Sequence, residues 1–173
     1  MINVKSFVKI IFLACILLSV SFLPAKLSAA ISRLDLYLDK QLAECNENKK
    51  PPVVFSPDNN LIAFTTSSKT ISLWNSKKRC RVHEFVGHSE NINSIAFSPN
   101  DKFLVSGSSD KTVRLWDVNN GSCVHVFYGH NSEVCSVGFN PMGSQIVSMS
   151  FDGMVMLFDV KTKKCLRVFH WPL

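Results

Sequence analysis

Short apolar segments separated by polar turns recur along most of the chain and predict β-strands rather than helices. Side chains alternate between two faces in the best-defined segments, as Val113 and Leu115 do against Arg114 and Trp116, and this period of two is typical of a strand. Turn-forming residues lie between the segments, and Asn120-Gly121 suits a tight hairpin with positive φ. The four segments in the middle of the chain are residues 92–98, 103–108, 112–117 and 123–128.

The pattern repeats every 42 residues. Phe55, Phe97 and Phe139 keep this step, and Trp116 and Phe158 keep it as well. Each repeat holds four strands joined by short turns, so the strands are expected to pair antiparallel. Four antiparallel strands at a period of about 40–45 residues are typical of one blade of a β-propeller.

The ends of each repeat resemble those of a known family. Gly87-His88 followed by Trp116-Asp117 resembles the WD40 repeat, and Gly129-His130 followed by Phe158-Asp159 is a second copy with Phe in place of Trp. A third, degenerate copy lies within 52–86. The resemblance implies an all-β fold, a partial WD40 β-propeller of about three four-stranded antiparallel blades after an N-terminal apolar segment. The predicted repeats are approximately 51–86, 87–128 and 129–170.

The N-terminal region has a different character. Residues 10–23 are 14 uncharged positions after a lysine-containing start, which is short of the ~20 residues that span a membrane. We therefore expect 1–30 to be a signal peptide or a short membrane anchor, and 31–50 a linker or a short helix or strand. The repeat domain is expected at 51–173. Localisation stays open: secretory or membrane-associated if this segment is genuine, otherwise cytoplasm or nucleus.

Several polar residues recur with the repeat, and they include the Ser, His and Asp of a hydrolase triad. The resemblance implies a structural role instead, a hydrogen-bonded tetrad that the family builds from these residues and the strand tryptophan. Because Phe158 lacks an indole N–H, the copy in the last repeat is expected to miss one bond. We predict no catalytic residues and no enzyme activity. The tetrad residues are His88, Ser106, Asp110 and Trp116 in the middle repeat, and His130, Ser148 and Asp152 in the last.

The resemblance also implies a partner surface. With the four strands of each repeat lettered a to d in chain order, WD40 propellers bind proteins or peptides on the face formed by the d–a loops and the b–c loops. We therefore expect a non-catalytic interaction scaffold or a subunit of a multiprotein complex. The alternatives are an exported or membrane-surface fragment that binds a ligand, and a truncated non-functional product. The candidate partner-binding residues are Glu90, Asn91, Ser108, Lys111, Asn131, Glu133 and Phe151.

Charge and cysteine content argue against direct nucleic-acid binding and against a zinc site. The net charge is +6, but three of the 19 basic residues and no acidic residue lie in 1–30, which leaves +3 for the rest. Direct nucleic-acid binding is therefore not expected. Cys80, Cys123 and Cys165 recur near the start of strand d without the spacing of a zinc site, so we predict core packing, no metal and no cofactor. Basic clusters at 77–81 and 161–164 are expected on one rim.

Three repeats are fewer than the 4–8 blades of a usual ring. An arc of three blades would expose an apolar side at each end, and such patches favour association. Three outcomes are open at this point. The chain could associate with itself or with another partial propeller, it could cap itself with 31–50, or it could be a truncated product.

Overall fold

The computed structural model of the chain describes residues 52–170. The expectations for 1–30 and 31–50, a signal peptide or anchor followed by a linker, lie outside the described residues. Within 52–170 every regular element is a β-strand. No helix in this range has the length and apolarity needed to cross a membrane.

Twelve strands form three consecutive groups of four. The first group is β1 (Val53–Phe55), β2 (Leu61–Ser67), β3 (Thr70–Asn75) and β4 (Cys80–Val86). The second is β5 (Ile92–Phe97), β6 (Phe103–Ser108), β7 (Val113–Asp117) and β8 (Cys123–Phe127). The third is β9 (Val134–Phe139), β10 (Gln145–Ser150), β11 (Met154–Asp159) and β12 (Cys165–His170).

Each group is one antiparallel sheet whose strands pair in chain order. Short connections between consecutive strands allow this arrangement, since antiparallel neighbours need only a hairpin. The three sheets are the blades of a partial WD40 β-propeller, which confirms the fold class predicted from the sequence. They are called blade 1, blade 2 and blade 3 below, and the strands of each are a to d in chain order.

Apolar side chains from neighbouring blades form two cores. Ala63, Leu73 and Phe85 of blade 1 pack with Leu104 and Trp116 of blade 2. The opposite face of blade 2 packs in the same way against blade 3. We call the face toward the preceding blade the leading face and the face toward the following blade the trailing face. Alternation along each strand explains why one blade fills both cores, because successive side chains point to opposite faces.

The turn between strands c and d of blade 2 contains Asn120-Gly121. Gly121 has φ of 74°, so the positive φ predicted for this hairpin is found at Gly121 and not at Asn120. The repeat equivalents Arg79 and Lys163 share the left-handed conformation. The turn of blade 2 is closed by hydrogen bonds from the Gly121 N–H to the Asp117 carbonyl and from the Asp117 N–H to the Ser122 carbonyl.

The cysteines of strand d are not core residues. Cys80, Cys123 and Cys165 are each the first residue of a strand d, and all three are exposed. The prediction of core packing is wrong because strand d is the edge strand of its sheet, and its start lies beyond the region that a neighbouring blade covers. Among described residues, Cys135 is the buried cysteine.

Candidate interaction face

The four tetrad residues of the middle repeat form a chain of hydrogen bonds in blade 2. The Trp116 indole N–H donates to Ser106 Oγ over 2.8 Å. Ser106 Oγ lies 2.7 Å from His88 Nε2, and His88 Nδ1 lies 2.7 Å from Asp110 Oδ2. In the neutral imidazole, Ser106 donates to Nε2 and the Nδ1–H donates to the carboxylate. This network links strands b and c of blade 2 to the loop that carries His88, before strand a, and to the loop that carries Asp110, between strands b and c.

This geometry places Ser, His and Asp in the order of a hydrolase triad, but it does not expose a nucleophile. Ser106 is 0% exposed, and its oxygen already accepts the Trp116 indole proton. The His88 side chain is also fully buried. A catalytic serine needs its oxygen open to substrate, and buried polar groups of this kind serve to satisfy one another.

Asp110 ties two loops together. Its Oδ2 accepts the Ser89 backbone N–H from the loop between blades 1 and 2, and its Oδ1 accepts both the N–H and the hydroxyl of Thr112. Burial raises the pKa of Asp110, but the hydrogen bonds from His88 and Thr112 outweigh burial and hold this pKa well below its usual range. Thr112 was not singled out from the sequence, although a Thr two residues after an Asp is a recurrent turn signal.

Blade 3 has a weaker version of the network. His130 Nε2 lies 2.7 Å from Ser148 Oγ, but His130 Nδ1 is 3.7 Å from Asp152 and has no hydrogen-bond partner. Met154 occupies the position of Thr112, so the Asp152 carboxylate is held by backbone N–H groups alone. Burial lowers the pKa of His130, which the charge of Asp152 only partly opposes, so the folded state favours a neutral imidazole.

Most candidate partner-binding residues share one set of loops, which we call the loop face: residues 87–91, 109–112, 129–133 and 151–153. Glu90, Asn91, Lys111 and Asn131 are exposed there. Phe151 is 55% exposed, which is high for an aromatic side chain. Asp110 holds the loops that carry Glu90, Asn91 and Lys111. Asp152 holds the loops that carry Asn131 and Phe151, through the backbone N–H groups of Asn131 and Met154.

Two candidates are placed differently. Ser108 is fully buried, and its hydroxyl donates to the Glu90 carbonyl and accepts the Asp110 N–H, so it is removed from the partner surface. Strand b continues through Ser108 into the turn, and the loop of Glu90 covers it. Glu133 is half-buried, and its carboxylate accepts the Ser109 hydroxyl at 2.7 Å, a contact between blades 2 and 3.

A lysine lies beside the loop face. Lys69, in the turn between β2 and β3, lies 3.9 Å from the Glu90 carboxylate, and both side chains are about half exposed. An exposed pair of this kind adds little stability, so both groups remain open to a partner. The 42-residue period could have identified Lys69, because it is the blade 1 equivalent of Lys111.

The described residues offer no cluster of three or more metal-ligating side chains. Three consecutive four-stranded blades, two interblade cores and a buried His–Ser–Trp–Asp network define the class: a propeller of WD40 type. Residues 53–75, 79–117 and 121–159 match the family described as "WD domain, G-beta repeat". Because these residues are more than half of the sequence, the chain belongs to the WD40 family.

Solved propellers resemble the chain in fold. Two of them are described as "Structure of U3-55K" and "Crystal structure of RRP9 WD40 repeats". Each has a TM-score of 0.67 and 22% sequence identity, over 72% of this chain. The chain spans 40% of the length of each. No curated protein sequence gives a significant match. Within the family, the sequence of residues 112–130 looks somewhat like the WD-repeat subunit of the general transcription factor TFIID, but the comparisons do not show this similarity.

Proposed function

We propose that the chain is a non-catalytic interaction scaffold that binds a protein or peptide partner through its loop face. The observation that carries this proposal is the Asp110 network. Its polar groups hydrogen-bond to one another and hold the loops in place, so none is available to react with a substrate. Preorganised loops lose less conformational entropy on binding. The loop face combines an exposed aromatic residue with charges of both signs, which suits a folded protein or a peptide better than a uniformly charged ligand.

The loop face is tested by a double variant, Glu90→Ala with Phe151→Ala. We expect it to keep the β-rich circular dichroism spectrum of the parent and to lose a partner captured by the immobilised full chain. Phe151 supplies apolar area and Glu90 supplies charge, so the loss of affinity is expected to exceed 10-fold, or about 1.4 kcal/mol.

The matched control is Met142→Ala, which removes an 83% exposed apolar side chain from the turn between strands a and b. This control is expected to retain the partner. Equal capture by the double variant and the parent chain would reject the loop face as the binding surface. Glu133→Ala is a poor choice for this test, because it also breaks the contact with Ser109.

The non-catalytic part of the proposal has its own test. A serine-directed fluorophosphonate is expected to leave the native chain unlabelled, because Ser106 is buried and hydrogen-bonded to both Trp116 and His88. Intact mass spectrometry measures the adduct directly. A stoichiometric adduct that maps to Ser106 in the folded chain would overturn this assignment and support a hydrolase.

Self-association is a second component of the proposal. The two outermost blade faces carry exposed apolar residues, among them Phe55 on blade 1 and Phe169 on blade 3. Contiguous exposed apolar patches mark association surfaces. Direct nucleic-acid binding forms no part of the proposed function.

A further inference from the structure

We propose that two copies of the chain join head to tail, so that the trailing face of blade 3 in one copy packs on the leading face of blade 1 in the other. This inference specifies the self-association proposed above and is independent of partner binding at the loop face. It rests on a comparison of the two outer faces with the two blade junctions already present inside the chain.

The outer face of blade 3 repeats a surface that is buried elsewhere. Phe85 and Phe127 occupy the same place on the trailing faces of blades 1 and 2, and they are 1% and 3% exposed. Their equivalent on blade 3 is Phe169, which is 37% exposed. Val147 and Leu157 on the same face are half-buried. Blade 3 therefore presents the residue types that elsewhere receive a following blade.

The outer face of blade 1 repeats the complementary surface. Phe97 and Phe139 lie on the leading faces of blades 2 and 3 and are 8% and 7% exposed. Their equivalent Phe55 is 57% exposed, Val53 on the same face is 64% exposed, and Trp74 is 36% exposed. Blade 1 therefore presents the residue types that elsewhere cover a preceding blade.

The outer face of blade 3 thus resembles one side of the blade 1–blade 2 and blade 2–blade 3 junctions, and the outer face of blade 1 resembles the other side. A second copy supplies both missing sides at once. The described residues of one copy form three blades, so those of two copies make six, a number within the 4–8 blades of propeller rings. Two identical heterologous contacts would join the copies.

Charge acts against this junction. Within the chain, His83 of strand d in blade 1 reaches the Asn119 carbonyl in the c–d turn of blade 2, with 2.7 Å between them. The same geometry would bring Arg167, the strand d equivalent of His83 in blade 3, beside Lys77 and Arg79 in the basic turn of the second copy. Like charges at this distance repel and are screened by salt, so raising NaCl from about 0.05 M to about 0.5 M is expected to tighten the association.

The test is light scattering of the full chain on a size-exclusion column over a range of concentrations. One chain is 19.4 kDa, and the expected species has twice this mass. Phe55→Asp on the leading face and Phe169→Asp on the trailing face are each expected to raise the dissociation constant at least 100-fold. Both positions are exposed in the single chain, so the far-UV spectrum is expected to persist. Met142→Asp, an 83% exposed position outside both faces, is the control and is expected to change nothing.

Mixing the two variants is the decisive step. A head-to-tail pair of Phe55→Asp and Phe169→Asp chains contains one junction with both faces intact, so the mixture is expected to pair where each variant alone is a single chain. If Phe169→Asp loses its far-UV spectrum, Leu157→Asp replaces it.

Three results would overturn the proposal. A parent chain that stays single at all concentrations would show that a second copy does not cover the outer faces. A pair disrupted by Phe55→Asp but not by Phe169→Asp would mean that two leading faces meet each other. Assemblies that grow beyond two chains would exclude the closed ring. Loss of the loop-face partner leaves all three measurements unaffected, so the two proposals fail separately.

Discussion

Replacing Trp116 with Ala is expected to destabilise the chain by about 3–5 kcal/mol, a large part of the 5–15 kcal/mol that a domain typically has. Trp116 is 1% exposed and fills the core between blades 1 and 2. Its ring centroid lies 5.6 Å from that of Phe85 and 6.1 Å from that of His88. The substitution leaves a cavity there and removes the hydrogen bond to Ser106. Urea unfolding at low protein concentration measures the loss without a contribution from assembly.

Two further variants separate the causes. Trp116→Phe loses the indole N–H but keeps most of the packing, so it is expected to cost far less than Trp116→Ala, about 1 kcal/mol for the hydrogen bond plus the small loss of ring volume. Blade 3 already carries Phe158 at this position. Trp74→Ala removes the equivalent tryptophan of blade 1, which is 36% exposed, and is expected to cost far less than Trp116→Ala. Equal losses for Trp74→Ala and Trp116→Ala would show that burial between blades is not what stabilises this position.

The period of 42 residues is the reason that the fold could be predicted from the sequence. Repeated aromatic positions such as Phe97 and Phe139 are residues that adjacent blades bury, so periodicity and core coincide there, whereas their equivalent Phe55 lies on an outer face and is exposed. Periodicity does not reveal which strand is at an edge. Cys123 therefore looked like a core residue, although it begins an edge strand and is exposed.

The candidate site was harder to predict at the level of single atoms. The sequence places His88, Ser106 and Trp116 in the same repeat, but it cannot tell whether a serine at the end of strand b faces solvent. Ser108 does not, because a loop of the neighbouring strand covers its hydroxyl. Similarly, the 42-residue period shows that Met154 takes the place of Thr112, but the 3.7 Å separation of His130 Nδ1 from the Asp152 carboxylate depends on how that carboxylate is oriented.

Replacing Asp110 with Ala is expected to cost about 2–4 kcal/mol, because it removes the acceptor for four hydrogen bonds and leaves the buried Nδ1 of His88 without its carboxylate acceptor. These bonds come from His88, from the Ser89 N–H, and from the N–H and hydroxyl of Thr112. Asp152→Ala in blade 3 is the matched control. It removes only backbone contacts, since His130 does not reach that carboxylate, and is expected to cost about half as much.

A comparison of the parent chain with Asp110→Ala at different pH values tests whether Asp110 acts as an anion. The pKa of Asp110 in the folded state is held below its usual range, so the unfolded chain takes up this proton first as the pH falls. The stability that Asp110 contributes is therefore complete above the unfolded pKa of about 3.9 and is lost progressively below it. The difference in unfolding free energy between the parent chain and Asp110→Ala is expected to be constant from about pH 7 to pH 5 and to shrink below about pH 4. A difference that stays constant down to about pH 2 would mean that the carboxylate holds the two loops without its charge.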